Sequence, residues 1–389
     1  MDVRHQELQN FINRQLHSTA ADLMLQESKY PDWDMKAIVQ QLVGKQIAKK
    51  KLPSWFKNEH ILYPVRLSME QCSSEETASY KSTIISSGKG IDLTGGFGVD
   101  TYFLAQNTQS VIYCERNQDL AAIVSSNFNA FNQSNCEVYT GDGISYLQQL
   151  EKLDWIFVDP ARRKESERVY RLEDCEPNVI ALKSLFFEKA NRILIKTAPL
   201  LDIQQTLINL DCVKEVHVIS VINDCKEVLY LLEKDYSDET QVFCINLKKA
   251  VKEEFSFTYT KERNTINQYS EPLAYLYEPN SSIMKSGAFK SIASKFGLFK
   301  LHKHSHLYTS TELISEFPGR SFKIKAVIHP DKKSLAKHIK GKANQACRNY
   351  PQKIDALKKK LKLKDGGNDY LFATTLIDDK PKLILCGKV

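Results

Sequence analysis

The sequence predicts an α/β fold: an open sheet of parallel strands ending in an antiparallel hairpin, preceded by a helical region and followed by two small α+β domains. Three observations carry this. Four short apolar runs each end in a carboxylate, a glycine turn or both: Ile91-Asp92-Leu93-Thr94-Gly95-Gly96, Val111-Ile112-Tyr113-Cys114-Glu115, Tyr139-Thr140-Gly141-Asp142 and Trp155-Ile156-Phe157-Val158-Asp159-Pro160. Open α/β sheets present polar groups to a ligand at the carboxyl ends of their strands. From about Gly88 to Lys234 such runs alternate with helical segments, the pattern of parallel βαβ units. Finally, the apolar runs 216–221 and 227–232 leave only residues 222–226 between them. That link is too short for the crossover helix that parallel strands require, so these two strands form a hairpin.

In chain order, residues 1–87 read as helical. Leu8, Phe11, Ile12 and Leu16 recur at helical spacing, as do Ile38, Leu42 and Ile47. Pro53 and Pro64 frame a loop, after which 70–85 resumes as a helix with Ser73 or Ser74 as cap. Residues 88–235 form the sheet domain, with a helix over 119–131 and strands at 136–141, 154–159 and 192–197. Residues 236–318 form a first small domain, with strands at 241–247, 254–259 and 273–277, a helix over 283–296 and a Lys/His-rich strand over 301–308. Pro318-Gly319 marks a boundary. Residues 319–389 then read as strand 322–328, helix 332–339, strand 343–348, helix 351–361 and a hairpin of 370–376 with 382–386.

Composition narrows the class. With 389 residues, 42% hydrophobic, 18 Phe and 17 Tyr, the chain has the material for well-formed cores. It has no apolar run near the roughly 20 residues that span a bilayer. Its start, Met1 to Glu7, lacks the apolar segment of a secretory signal. Nine cysteines without a C-x-x-C pair suggest neither a disulfide framework nor a zinc ribbon, and a reducing cytoplasm is expected. No metal is implied: His302, His304 and His306 alternate on a basic strand that suits a polyanion better than zinc. The net charge of +7 conceals an asymmetry, since residues 281–389 hold 23 Lys and Arg against 8 Asp and Glu. A basic module beside an acidic body is the layout expected where a polyanion is held.

The glycine turn after the first strand, Gly95-Gly96-Phe97-Gly98, lets backbone amides approach a ligand. A dinucleotide fingerprint would place a third glycine where Thr101 stands, which disfavours a nicotinamide dehydrogenase. Taken with Glu70-Gln71-Cys72-Ser73-Ser74-Glu75, Thr77-Ala78, Asp92 to Asp100, Asp159-Pro160-Ala161-Arg162-Arg163, Glu173-Asp174-Cys175-Glu176-Pro177, Arg348-Asn349-Tyr350-Pro351 and 370–375, the chain resembles a bacterial family. Its members are class I S-adenosylmethionine-dependent methyltransferases with a ferredoxin-like insert and a C-terminal THUMP-like domain. The resemblance covers essentially the whole chain. It implies a Rossmann-like class I methyltransferase sheet, S-adenosylmethionine as cofactor and RNA as substrate.

The resemblance also assigns residues. Asp92 and the turn Gly95, Gly96 and Gly98 face the methionine portion of the cofactor; Thr94, where many members have a glycine, and Asp100 are further cofactor-binding residues. Gln71, Ser74 and Thr77 fall in a segment that covers the cofactor. Glu115 is placed for both ribose hydroxyls and repels a 2′-phosphate. Asp142 would meet the adenine amine, with Gly143 leaving room for the ring. Asp159 and Pro160 stand where amine methyltransferases hold a planar amine by its N–H groups. Ala161 removes the local stacking aromatic of that pattern, and Arg162 with Arg163 offers guanidinium planes instead. Asp174 is a second candidate carboxylate, while Lys196 neutralises its acidic neighbours. The reading is a methyltransferase for a base nitrogen in RNA. A methyltransferase for a small molecule or protein, or a non-catalytic RNA-binding protein retaining the pocket, stays open at this stage.

Overall fold

The computed structural model describes Arg4 and residues 6–162, 171–249, 251–339 and 341–389. The chain divides into two compact units, Met1–Lys214 with Val228–Asp238, and Glu215–Glu227 with Glu239–Val389.

The strands of the first part are β1 (Lys89–Asp92), β2 (Ser110–Glu115), β3 (Cys136–Thr140), β4 (Leu153–Val158), the short pair β5 (Ala161–Arg162) and β6 (Cys175–Glu176), β7 (Ala190–Thr197), β8 (Val213–Val221) and β9 (Asp224–Glu233). In the first unit the order is β3-β2-β1-β4-β7-β9. All neighbours are parallel except β9, which runs antiparallel to β7. Ile222 and Asn223, both at positive φ, make the two-residue turn that returns the chain from β8 to β9. Lys214 and Glu233 pair across the base of this hairpin at 2.8 Å. The register sets Asp92 level with Tyr113 on β2 and Phe157 on β4. Two residues on from those partners, Glu115 and Asp159 therefore reach the same sheet edge as Asp92.

The N-terminal helices are not an appendage. Ala48, Leu52, Trp55 and Tyr63 share one buried cluster with Phe97, Val99, Tyr113 and Phe128 of the sheet domain. The single helix expected over 70–85 is two, Arg66–Gln71 and Glu75–Ile84. They break at Cys72-Ser73-Ser74, and the Ser74 hydroxyl caps the second by accepting from Thr77 N.

In the second unit, β10 (Gln241–Leu247) runs parallel to residues 215–221 of β8, and β11 (Lys252–Phe257) pairs with β10. Both were expected in the first small domain, but β10 follows β8 because Val242, Cys244 and Ile245 need a fully buried slot. The remaining strands are β12 (Tyr275–Pro279), β13 (Phe299–His302), β14 (Ser305–Ser310), β15 (Gly319–Ile328), β16 (Asn344–Arg348), β17 (Asp369–Thr375) and β18 (Pro381–Lys388). They form one seven-stranded sheet, β13-β14-β12-β15-β18-β17-β16, that runs continuously through residues 275–388. The join is Gly319, paired with Pro279. A Cβ there would lie 2.2 Å from the Glu278 carbonyl oxygen, so the Pro-Gly step also needs its glycine for a close strand contact.

Two further expectations change. Gly287, at φ +80, splits the helix of 283–296 into Ser281–Ser286 and Phe289–Phe296. The Lys/His-rich strand is the hairpin β13–β14, and its basic groups divide: Lys303 and His304 are exposed, whereas Lys300 and His302 turn inward. Lys300 is 3% and His302 6% exposed. Burial pushes the Lys300 ammonium down to about 8. Burial, with Lys300 adding to it, pushes the His306 imidazole down to about 4, and that ring stacks on Phe289 at 3.5 Å. His302 Nδ1 accepts from Asn349 and from the His304 amide, so its Nε2–H donates to Asp379 at 2.8 Å. Among the described residues no helix is long and apolar enough to cross a membrane.

Candidate active site

A cavity of about 380 Å³ opens at the carboxyl ends of β1 to β4, within the first unit. Its size lies in the range of sites that take small organic ligands, about 300–1,000 Å³. Asp92, Glu115, Asp142 and Asp159 all line it, together with Gly95, Gly96, Gly98, Asp100 and Gly143.

Asp92 ends β1 and is 1% exposed. Its carboxylate accepts from Thr94 N at 2.9 Å and from the Thr101 hydroxyl at 2.6 Å. Burial pushes the Asp92 carboxyl up to about 7 despite those two bonds. Thr101, notable in the sequence only as a missing glycine, thus anchors the acid. Thr94 links two strand ends: its hydroxyl reaches Asp92 and accepts the Asp159 backbone N–H at 2.7 Å. A glycine could not make that link.

The turn owes its glycines to close neighbours. A Cβ on Gly95 would stand 2.1 Å from the Tyr113 ring, and Gly98, at φ +74, caps the helix Val99–Gln106. Glu115 accepts the amides of Gly96 at 3.0 Å and Asn117 at 2.8 Å. Asp142 caps the helix Gly143–Gln149 through Ser145 N at 2.7 Å. It is also paired with Arg116, whose Nη1 reaches Glu176 at 2.8 Å. The Ser145 amide first, and Arg116 after it, hold the Asp142 carboxyl below the usual range.

Asp159 is gripped from below. Its Oδ2 lies 2.6 Å from Lys196 Nζ on β7. The same ammonium reaches Ser73 Oγ at 3.1 Å and Asp100 Oδ2 at 3.3 Å. Lys81, 0% exposed, approaches Asp100 Oδ1 and Ser73 Oγ, each at 3.1 Å. Burial alone would raise the Asp100 carboxyl, but Lys81 and Lys196 outweigh it and hold it well below the usual range.

Of the other residues singled out in the sequence, Gln71 lines the cavity. Ser74 and Thr77 are outside that lining: Ser74 caps its helix, and Thr77, 2% exposed, donates to the Ser74 carbonyl. Pro160 is buried behind Asp159, and Ala161 faces the cavity in its stead. Asp174 is exposed in the turn Leu172–Asp174, and the acidic residue of that loop on the cavity wall is Glu176. Arg163 and the Arg162 side chain lie outside the described residues. Sequence reasoning missed Ser73, Lys81, Arg116 and Glu176. Among the described residues no cluster of three His, Cys, Asp or Glu could hold a metal ion.

Strand order, the antiparallel β9 and carboxylates at successive strand ends define a class I methyltransferase fold. A crystal structure described as a "putative methyltransferase from Porphyromonas gingivalis W83" is 33% identical, covers 98% of this chain and 97% of that chain, and superposes with a TM-score of 0.88. The chain belongs to that protein's family, in which the class I methyltransferase sheet is followed by ferredoxin-like and THUMP-like domains. Family models match residues 275–318 as a ferredoxin-like domain and 319–388 as THUMP domain-like. An rRNA methylase from Streptococcus thermophilus is 15% identical over 41% of this chain and 94% of its own, with a TM-score of 0.31. M. capricolum TrmK, in complex with S-adenosyl-homocysteine, is 13% identical over 42% of this chain and 70% of its own, with a TM-score of 0.33. No curated protein matches the chain.

Proposed function

We propose that this methyltransferase uses S-adenosylmethionine to methylate a base nitrogen of RNA in the cytoplasm. The observation that carries the reading is the convergence of Asp92, Glu115 and Asp159 on one cavity. The residues present fit the cofactor. Asp92 is a buried anion for the methionine ammonium, and Glu115, with lone pairs left after two amide contacts, suits two ribose hydroxyls. Asp142 suits the adenine amine once Arg116 yields it, with Gly143 giving the ring room. When bound, the cofactor supplies an electrophilic methyl on a sulfonium.

The chain's own work is alignment. A planar base amine is a poor nucleophile, and Asp159 accepts one of its N–H groups, so that the nitrogen lone pair is directed along the transfer line. Thr94 and Lys196 fix Asp159 from its backbone and side-chain ends. Pro160, buried behind it, limits the backbone there. The basic residues of 281–389, 23 against 8 acidic, support RNA as the polyanion held by the second unit.

The test incubates the protein with methyl-labelled S-adenosylmethionine and total RNA from a strain lacking the gene, followed by nucleoside mapping. Label in one RNA nucleoside supports the proposal. Label confined to protein or metabolites overturns the RNA substrate, and calorimetry without S-adenosylhomocysteine binding overturns the cofactor. RNA affinity should fall by about 0.7–0.9 log units per phosphate contact for each log unit of salt.

A further inference from the structure

We infer that Lys196 is the positioning residue for Asp159: it sets the carboxylate at the transfer site without touching the substrate. This rests on the proposed function. An ammonium has three donors, and three oxygens surround Lys196 Nζ: Asp159 Oδ2 at 2.6 Å, Ser73 Oγ at 3.1 Å and Asp100 Oδ2 at 3.3 Å. It lines the cavity wall, but at 9% exposure its three donors are already engaged.

The grip is anchored deeper in the unit. Ser73 Oγ donates to Asp100 at 2.8 Å and accepts from both lysines. Lys81 on the helix Glu75–Ile84 closes the chain on Asp100 from the helix Val99–Gln106. Two ammoniums and two carboxylates thus alternate from the core to the cavity wall, where the Asp159 side chain is 37% exposed. Asp92, the other carboxylate near Asp159, is held by Thr94 and Thr101 instead. A half-exposed acid tied to a buried, charge-balanced chain keeps one orientation, and transfer rates are sensitive to displacements of about 1 Å.

The experiment uses full-length Lys196→Met and Lys196→Arg, the RNA of the preceding test, S-adenosylhomocysteine calorimetry, and kcat and KM measured separately. For Lys196→Met the expected result is S-adenosylhomocysteine affinity and RNA KM within about threefold of wild type and kcat lower by about 30- to 100-fold. Lys196→Arg keeps the charge but not the three-way geometry. It should rescue part of the loss, with kcat about tenfold below wild type and S-adenosylhomocysteine affinity within about threefold. If Lys196→Met loses S-adenosylhomocysteine binding, Lys196→Arg is read in its place. A variant that binds S-adenosylhomocysteine with kcat within threefold of wild type overturns the inference, as does loss of binding in both. A wild-type protein that labels no RNA counts against the proposed function instead.

Discussion

Each unit buries a carboxylate between two cations, and the two clusters end differently. In the first, Asp100 lies between Lys81 and Lys196, and the ion-pair chain continues to Asp159 on a cavity wall. In the second, Glu278, 3% exposed, lies between Arg320 and Arg348 and the chain stops there. Arg320 sits opposite Glu278 on β15 and binds one oxygen through its guanidinium fork; Arg348, from the edge strand β16, takes the other at 2.7 Å. A planar fork suits a closed pair, whereas an ammonium with three rotatable donors can pass a contact on. Buried charge is thus evidence of chemistry only where it leads to open space. The motif Arg348-Asn349, part of the family resemblance in the sequence, is a staple: Asn349, at φ 51, holds His302 while Arg348 holds Glu278.

The largest effect that would sharpen this contrast is at the open end of the first cluster. Asp159→Asn should cut methyl transfer by about 100- to 10,000-fold while S-adenosylhomocysteine still binds. Transfer at the wild-type rate would remove Asp159 from the reaction. The matching change in the second cluster, Glu278→Gln, should leave S-adenosylhomocysteine affinity unchanged and lower unfolding stability by about 1–3 kcal/mol. The value is below that of a fully buried pair because Arg320 and Arg348 are 39% and 40% exposed and regain water. Urea unfolding followed beside calorimetry reads both. A shift in cofactor affinity would break the distinction between the clusters.

The sequence showed the open cluster's rim and not its root. Asp92, Glu115, Asp142 and Asp159 were legible because each terminates an apolar run, and strand ends in an open sheet face one edge. Lys81 and Ser73 were not: a lysine on a short helix reads as solvent-facing and a serine between helices as a cap until the partner is known. The partner, Asp100, lies on another helix. The same limit hid the inward turn of Lys300 and His302, whose local pattern is that of a wet strand while Asp379 and Asn349 come from distant segments. It also hid the continuity of the second unit's sheet, since nothing near Pro318-Gly319 announces the pairing of β12 with β15.

A third prediction concerns pH and sets Asp92 against its neighbours. Its folded carboxyl titrates at about 7, above the ordinary 3.8. A cationic ligand group prefers the ionised form, so S-adenosylhomocysteine affinity should be full above pH 7 and fall by up to about tenfold per unit below it. Asp92→Asn should flatten that dependence. For the unliganded protein the sign reverses: a raised folded pKa means the ionised acid costs stability, a cost absent below pH 3.8 and complete above pH 7. Asp92→Asn should therefore stabilise the free protein at pH 8 by about 1–3 kcal/mol. An affinity flat from pH 5.5 to 8.5 would show that the ligand does not depend on this carboxylate.

The smallest effect expected is at Thr94, which ties Asp92 to the Asp159 backbone. Thr94→Gly leaves the Asp159 N–H without its acceptor, a loss of about 1 kcal/mol, and loosens the β4 end from one side only, since Lys196 keeps the other. kcat should drop by about three- to tenfold with S-adenosylhomocysteine affinity within about twofold. Thr94→Ser, which returns the hydroxyl, should recover most of it. Recovery by Ser but not Ala would assign the effect to that one hydrogen bond. Equal rates for Gly, Ala and Ser would mean that the side-chain grip through Lys196 alone orients Asp159, and would widen the difference between an acid held at one end and one, like Glu278, held at both.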